Sequence, residues 1–313
     1  MKKSSLLFGF FATFTLAAQS QNNPSVNTNS SDSIEKPMDE VVVIGYATAK
    51  KKDLTGAMSS IKGSELAAQP VLTATQALQS KMAGVQITNS GAPGSSPNVR
   101  IRGTGSVIGG AEPLYVVDGV ITDDIRNINT ADILSIDVLK DASSTAIYGV
   151  RAANGVILIT TKRGGSGKPK LSYDGYAGVK MMANKIAMAR PGTFSNYSNE
   201  AAGTNAILKS DINGETDWFE TLTRPGNMNN HNLSMSGGSE STSYLFSVNY
   251  FNENGILKDN NYERVSIRSN NEYRISDRLK FGNNISLSRW NSNNKPFSLF
   301  TDAYNAAPIY NAK

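Results

Sequence analysis

Apolar positions change rhythm three times along this chain, and each rhythm predicts a different kind of element. The first is a continuous run, Leu6 to Ala18, that follows Lys2 and Lys3 and closes on the small residues Ala17, Ala18 and Ser20. It is shorter than the roughly 20 residues of a helical bilayer span and has the layout of a secretory signal peptide, so residues 1–20 are read as an export signal. Residues 21–38 are Asn, Ser, Pro and Asp with too little apolar surface to fold, and are read as a tether. Asp39-Glu40-Val41-Val42-Val43-Ile44-Gly45-Tyr46 then reads as a short strand, because β-branched residues are stiff and favour extended backbone. Its flanks are polar on one side and Lys50-Lys51-Lys52 on the other, so no adjacent segment is expected to pair with it. It is either a core strand paired at a distance or an unpaired edge that another protein can extend.

From residue 51 to 165 the rhythm is mixed. Asp53 to Ile61 reads as a strand, and Leu72, Ala74, Ala77, Leu78 and Met82 recur at helical spacing up to Gly84, predicting a helix over Thr73–Ala83. Val85 and Ile87 open a strand that ends in the Gly, Ser and Pro of residues 89–97. Val99 to Gly103 and Pro113 to Val120 each read as one strand, Ala131 to Ile133 as helical, Ile136 to Leu139 as extended, Ala142 to Tyr148 as helical and Gly155 to Thr161 as a buried strand. The sum is a compact α+β unit.

Beyond residue 165 the period becomes two. Leu171, Tyr173, Gly175, Ala177 and Val179 alternate with polar or small residues, and after an irregular stretch the pattern resumes at Leu233 and Met235. Tyr244, Phe246, Val248 and Tyr250 lie on one face of a strand, and Val265, Ile267, Tyr273 and Ile275 oppose Ser266, Arg268, Asn270, Glu272 and Arg274. Leu279, Phe281, Ile285 and Leu287 repeat the scheme. Alternating segments of about ten residues separated by polar turns are what an outer-membrane β-barrel requires, apolar toward lipid and polar toward the lumen. A soluble sandwich with one wet face alternates too.

Composition narrows the chemistry. The chain is 39% hydrophobic and 18% charged, a mix suited to strands and polar turns. Its net charge of +5 forms no basic stripe with interleaved aromatics, so nucleic acid is not an expected partner. The absence of cysteine excludes disulfides and thiolate metal sites. Gly103-Thr104-Gly105-Ser106-Val107-Ile108-Gly109 has the wrong spacing for a dinucleotide loop, and Gly164-Gly165-Ser166-Gly167-Lys168 runs into Pro169 where a phosphate loop needs Ser or Thr, so both are read as turns or links. The single histidine, His231, stands among asparagines as a solvated residue rather than a base. Asp118 and Asp141 lack a second carboxylate and are read as fixing turns and helix starts. No enzyme, cofactor or metal is expected.

Several stretches together carry a family resemblance. Asp39 to Tyr46 followed by Lys51-Lys52-Asp53-Leu54-Thr55-Gly56-Ala57 resembles the opening of the SusC/RagA family of TonB-linked outer-membrane transporters. Gln76 to Ile87, Val99 to Gly103, Tyr115-Val116-Val117-Asp118-Gly119, and Val138 to Gly149 running into Arg151-Ala152-Ala153-Asn154-Gly155-Val156-Ile157 resemble its plug domain. The resemblance implies an α+β plug over residues 51–165 inside a transmembrane β-barrel of about 22 strands, of which residues 166–313 supply the first antiparallel ones. It implies that Glu40, Val41, Val42, Val43, Ile44, Gly45 and Tyr46, within a segment spanning 39–50, form the TonB-binding stretch. It assigns structural and gating roles in the plug to Arg100, Arg102, Gly103, Asp118, Gly119, Asp141, Tyr148, Gly149, Arg151, Asn154 and Gly155.

The implied function is TonB-dependent import of glycan fragments or peptides across a Bacteroidetes outer membrane. The implied partners are TonB with its inner-membrane complex, a SusD-like surface lipoprotein and outer-membrane lipid. Ala47 and Val150 depart from the family's usual Gly and Ser. About five barrel strands and no terminal aromatic strand lead to the expectation of an N-terminal part of a longer protein. The rival expectation is an exported binding or adhesion module built on a soluble sandwich. Substrate-binding residues are not legible, with Arg268 and Arg274 the first candidates for lumen polarity.

Overall fold

The computed structural model describes residues 41–44, 47–50, 58–67, 73–79, 81–103, 110–207, 212, 214–296 and 298–310. The export signal, the tether, Glu40, Gly45, Tyr46 and the residues 104–109 lie outside them.

β1 (Val41–Ile44) pairs antiparallel with β2 (Ala47–Lys50), Val41 opposite Lys50 and Ile44 opposite Ala47. This corrects the expectation of a strand with no neighbouring mate. Thr48 is β-branched and only two residues, the first a glycine, separate the paired ends, which suits a tight hairpin whatever the lysines beyond.

The plug is built on a five-stranded mixed sheet in the order β3 (Met58–Lys62), β8 (Ile133–Leu139), β9 (Val156–Thr161), β6 (Leu114–Val117), β7 (Val120–Thr122). β9 and β6 are parallel and the other pairs antiparallel. The run Pro113–Val120, read as one strand, is a hairpin: Asp118 and Gly119 both take positive φ, 48° and 89°, the two-residue turn that Asp-Gly favours because its twist matches that of the strands. β8 and β9 are inner strands with both faces covered, so they are largely apolar, β8 carrying Ser135 and Asp137 as buried polar interruptions. Ile136, Val138, Ile157 and Ile159 point to one core with Leu66, Leu78 and Ile101, and Leu139, Val156 and Leu158 to another with Leu114 and Val116.

β4 (Val85–Thr88) and β5 (Asn98–Ile101) form a separate hairpin whose loop carries Ser90-Gly91-Ala92-Pro93-Gly94. α1 (Gly63–Ala67) packs beside β8, and α2 (Ala142–Thr145) continues as a 3-10 helix over Ala146–Ala152. The helix expected over Thr73–Ala83 is only a 3-10 turn, Gln76–Leu78, started by the Thr73 hydroxyl accepting from the Gln76 amide at 3.3 Å. Helical spacing in so short a segment places Ala77 and Leu78 in the core without the nucleation cost of a full helix. The expected helical Ala131–Ile133 is likewise a 3-10 turn, Thr130–Asp132, running directly into β8.

The C-terminal part is one antiparallel meander: β10 (Gly167–Lys180), β11 (Gly226–Gly238), β12 (Thr242–Asn254), β13 (Asn261–Ser276) and β14 (Leu279–Asn293). The Gly164–Pro169 link is not all turn, since β10 begins at Gly167 with a register shift before Lys170. Residues 239–241 and 277–278 turn tightly at one end of the sheet. The opposite end carries the long 181–225 connection with α3 (Pro191–Ala202) and α4 (Trp218–Leu222), the 255–260 loop, and α5 (Ser298–Asn305) after β14.

Gly155 sits at φ 94°, and a Cβ there would meet Ile101 Cδ1 at 2.7 Å and the Leu139 carbonyl at 3.1 Å. Gly155→Ala is expected to destabilise the plug by about 1–3 kcal/mol, seen as faster hydrogen exchange in β9 with β12 and β13 unchanged. Gly165→Ala, with open space around it and an ordinary φ, is the control expected to stay within about 0.5 kcal/mol.

Candidate functional site

The meander is inside out relative to a soluble sheet. Its apolar positions face away from the plug: Leu171, Leu233, Phe246, Ile267, Phe281 and Leu287 are all exposed, Leu287 to 64%. Polar positions dominate the buried face, because alternation along β12 and β13 turns Ser247, Asn249, Glu253, Arg264, Arg268 and Asn270, with Leu245, Phe251 and Tyr262, onto the face that carries the plug. A soluble sandwich would bury the other face, so the geometry disfavours that alternative and fits a wall with lipid outside and lumen inside.

Arg264 and Arg268 share one face of β13 and reach into the plug. Arg264 is 2% exposed, lies 5.9 Å over the Phe251 ring, donates to the Arg126 carbonyl and reaches Asn249 Oδ1 at 3.3 Å. Arg126 itself grips Asp124 through Nε at 3.0 Å and Nη2 at 2.7 Å. Burial works to raise Asp124, and the hydrogen bonds and charge of Arg126 outweigh it, holding the carboxyl below its usual range.

Arg268 donates to the Thr161 hydroxyl, and its guanidinium is 3.5 Å from Asp118. Asp118 is the hub on the plug side. Held at the β6–β7 turn, it accepts from the Thr161 amide at 2.9 Å, the Thr161 hydroxyl, and the Asn284 amide of β14 at 2.9 Å. Ser247 of β12 donates to Asp132 at 2.9 Å. Burial raises the Asp132 pKa, while Ser247 and the cations Arg268, Lys162 and Arg264 act in the opposite direction. Between these contacts lies a polar cavity of about 530 Å³, bordered by Asp118, Asp124, Asp132, Arg163, Arg268 and Glu272. It is roomy and polar enough for water. At the other end of the wall Glu253, fully buried, pairs with Lys180 and accepts the Gly94 amide of the β4–β5 loop at 3.2 Å.

Residues 50–156 match the family model of the TonB-dependent receptor plug domain. TonB-dependent receptor P26 of Formosa agariphila is 40% identical over 88% of this chain, and TonB-dependent receptor SusC of Bacteroides thetaiotaomicron is 37% identical over 82% of it. The structure of the RagAB peptide importer in the open-open state superposes with a TM-score of 0.74 at 32% identity over 82% of the chain. This chain belongs to the SusC/RagA-like TonB-dependent receptors. It spans 29% of P26, 27% of SusC and 33% of the RagAB chain. The siderophore receptor PirA of Acinetobacter baumannii shares the fold at a TM-score of 0.52 and 19% identity.

The receptor motif residues fall into distinct groups. Arg102, at φ 57° beside Gly103, donates its amide to Gly84 and pairs with Asp141 at 2.7 Å, so Asp141 is part of an ion pair next to α2 as well as a helix start. Lys140 joins them, its pKa lowered by burial and by Arg102. Arg100 is exposed on β5. Tyr148 packs on the second core, and Gly149, at φ 67° and ψ −161°, breaks the helix after it. Arg151 is exposed and 3.2 Å from Asp123, while Asn154 donates to the Gly110 and Glu112 carbonyls at 2.7 and 3.4 Å. Asp118, with Gly119 completing its turn, meets the barrel wall directly. Of the lumen candidates, Arg268 points in, and Arg274 is exposed near the 239–241 turn beside a shallow polar hollow. Arg264, Glu253, Asp132 and Asn284 are not among the sequence-derived candidates, although Arg264 shares the face of Arg268.

Arg268→Met is expected to cost about 2–4 kcal/mol of plug docking because Asp118 loses its cation, and Asp118→Asn in the same chain is expected to recover at least about 1 kcal/mol. The urea concentration at which the plug becomes protease-sensitive measures both. For Asp132 the folded pKa is raised, so the docked plug holds its proton more tightly than the unfolded chain. That stabilisation is full below the unfolded value, about 3.9, and is lost as pH rises through the raised value. Asp132→Asn is expected to flatten this part of the pH profile in the same assay.

Proposed function

We propose that the full-length protein carrying this chain imports a nutrient across the outer membrane, with the plug closing the barrel and TonB opening it. The observation that carries the reading is the inverted sheet, apolar outward and charged inward, with a plug hydrogen-bonded to its inner face. Membership of the SusC/RagA-like receptors supports it. The cargo class is a glycan fragment or a peptide: the family resemblance allows either, and similarity to the RagAB peptide importer supports the second. A SusD-like surface lipoprotein is the proposed lid, and outer-membrane lipid the medium around Phe246, Phe281 and Leu287.

Orientation follows from connection lengths. Barrels of this class keep short turns on the periplasmic side and long loops outside, so residues 239–241 and 277–278 face the periplasm and α3, α4 and α5 face the exterior. Residues 1–20 direct export and 21–38 form the tether. TonB binds Glu40 to Tyr46 by strand addition, replacing β2 as the partner of β1. A hairpin of two four-residue strands has little stability of its own, so the exchange costs little.

Val42→Pro removes a backbone donor from β1. It is expected to abolish TonB co-purification and energised uptake while leaving hydrogen exchange in β8 and β9 unchanged. Undiminished uptake in this variant overturns the assignment of the segment.

A further inference from the structure

The wall holds the plug a second time, at the loop end, and by different means from the Arg268–Asp118 contact. Its inner face carries an apolar patch there, Phe251 and Tyr262 with Tyr176 packed beside them, and the tip of the β4–β5 hairpin sits on it. Gly94 takes φ 65°, and a Cβ on it would overlap the Tyr262 ring. A Cβ on Gly255 of the wall would meet Pro93 Cγ at 2.9 Å. One glycine of the plug and one of the wall thus permit the close approach.

Glu253 fixes that contact. Its side chain is fully buried, with one oxygen paired to Lys180 and the other accepting the Gly94 amide at 3.2 Å. Lys180 reaches it from β10 across β11, where Gly226 stands opposite Lys180 and puts no side chain in the way. A buried carboxylate short of donors is costly, so the amide brought by the plug completes a site that the wall alone leaves unfinished.

The hairpin is a unit distinct from the rest of the plug. Among the described residues β4 and β5 form a two-stranded sheet of their own, apart from the five-stranded sheet that carries Asp118. Ile87, Val99 and Ile101 root its base in the first core, whereas Pro93 and Gly94 at its tip are buried against the wall. The tip is braced internally: Ser95 donates its amide at 3.1 Å and its hydroxyl at 2.7 Å to the Ala92 carbonyl, and the Gly91 amide donates to Asn89 Oδ1 at 3.2 Å. A two-stranded ribbon is marginally stable by itself, so the position of this tip depends on what holds it.

We infer that Glu253 is the positioning residue of a latch that holds the β4–β5 tip on the wall and opens separately from the Arg268–Asp118 contact. The inference rests on the import reading and deepens it, since it divides release of the plug into two events held by different chemistry.

Paired nitroxide labels in the full-length protein test it, and no cysteine within the chain competes for them. Ser96→Cys with Asn227→Cys reports tip to wall, and Val120→Cys with Asn227→Cys reports main sheet to wall; all three positions are exposed. Glu253→Leu removes both acceptors and is expected to broaden the Ser96–Asn227 distance distribution at least twofold, leaving Val120–Asn227 unchanged. Arg268→Met is expected to do the reverse. Gly94→Ala breaks the same latch from the plug side, so it is expected to broaden Ser96–Asn227 and to add nothing in combination with Glu253→Leu. Lys180→Met is expected to broaden the tip distances and Lys180→Arg to keep them as in the wild type, which reads the latch even if Glu253→Leu does not fold. An unchanged Ser96–Asn227 distribution in Glu253→Leu and Gly94→Ala, equal broadening of both pairs in variants with an unchanged thermal midpoint, or additive broadening in the double variant overturns the inference. If Val42→Pro stops uptake while Glu253→Leu and Gly94→Ala leave the tip in place, the latch fails and import stands. If Val42→Pro imports normally while both variants free the tip, TonB-driven import fails and the latch stands.

Discussion

Two arginines on the same face of β13, Arg264 and Arg268, project into space that only the plug can fill. A guanidinium removed from bulk water is costly, and part of the compensation comes from plug groups remote in sequence, the Arg126 carbonyl, the Thr161 hydroxyl and the Asp118 carboxylate, while Arg264 Nε and Arg268 Nη1 are buried without a hydrogen-bond partner. Asp118 in turn depends on the Asp-Gly turn that aims it and on the parallel β6–β9 pairing that brings Thr161 alongside. Wall and plug therefore complete each other. Neither surface is an ordinary protein surface alone.

The attachment is polar as a consequence of the alternation. A lipid-facing wall must place most of its apolar side chains outward, so period two leaves a largely polar inner face, with Leu245, Phe251 and Tyr262 buried among the polar residues, and apolar burial does not dominate the attachment of the plug. Hydrogen bonds in such an interface give modest net stability, about 1 kcal/mol each, but a steep penalty when one partner is withdrawn. Under the proposed TonB-driven opening, that suits an attachment firm at rest and able to yield, with a polar cavity of about 530 Å³ already present beside it.

Much of this was legible in the sequence and part was not, for physical reasons. The barrel strands follow from local alternation, so Phe246, Val248 and Tyr250, or Ile285 and Leu287, announce their face without knowledge of neighbours. The family resemblance of Tyr115 to Gly119 located the plug, yet Pro113–Val120 looked like one strand because apolar residues lie on both sides of Asp118-Gly119. Thr73–Ala83 has the spacing of a helix and too few residues to sustain one. β1 found a partner in Ala47-Thr48-Ala49, a stretch with little apolar signal. Arg264, Asp132 and Asn284 gain meaning only from partners more than a hundred residues away, or across a strand, and no local pattern records that pairing.

Among the described residues β3 lies at the outer margin of the plug sheet, paired with β8 alone, and is the first strand of that sheet in chain order. Under the proposed pull by TonB from the N-terminal side, the five residues of β3 and their single pairing with β8 would take load before the central pairings of β8, β9 and β6. The order of strands in the sheet would then set the order of yielding, with the centre, which holds Asp118 and Thr161 against the wall, loaded after the margin.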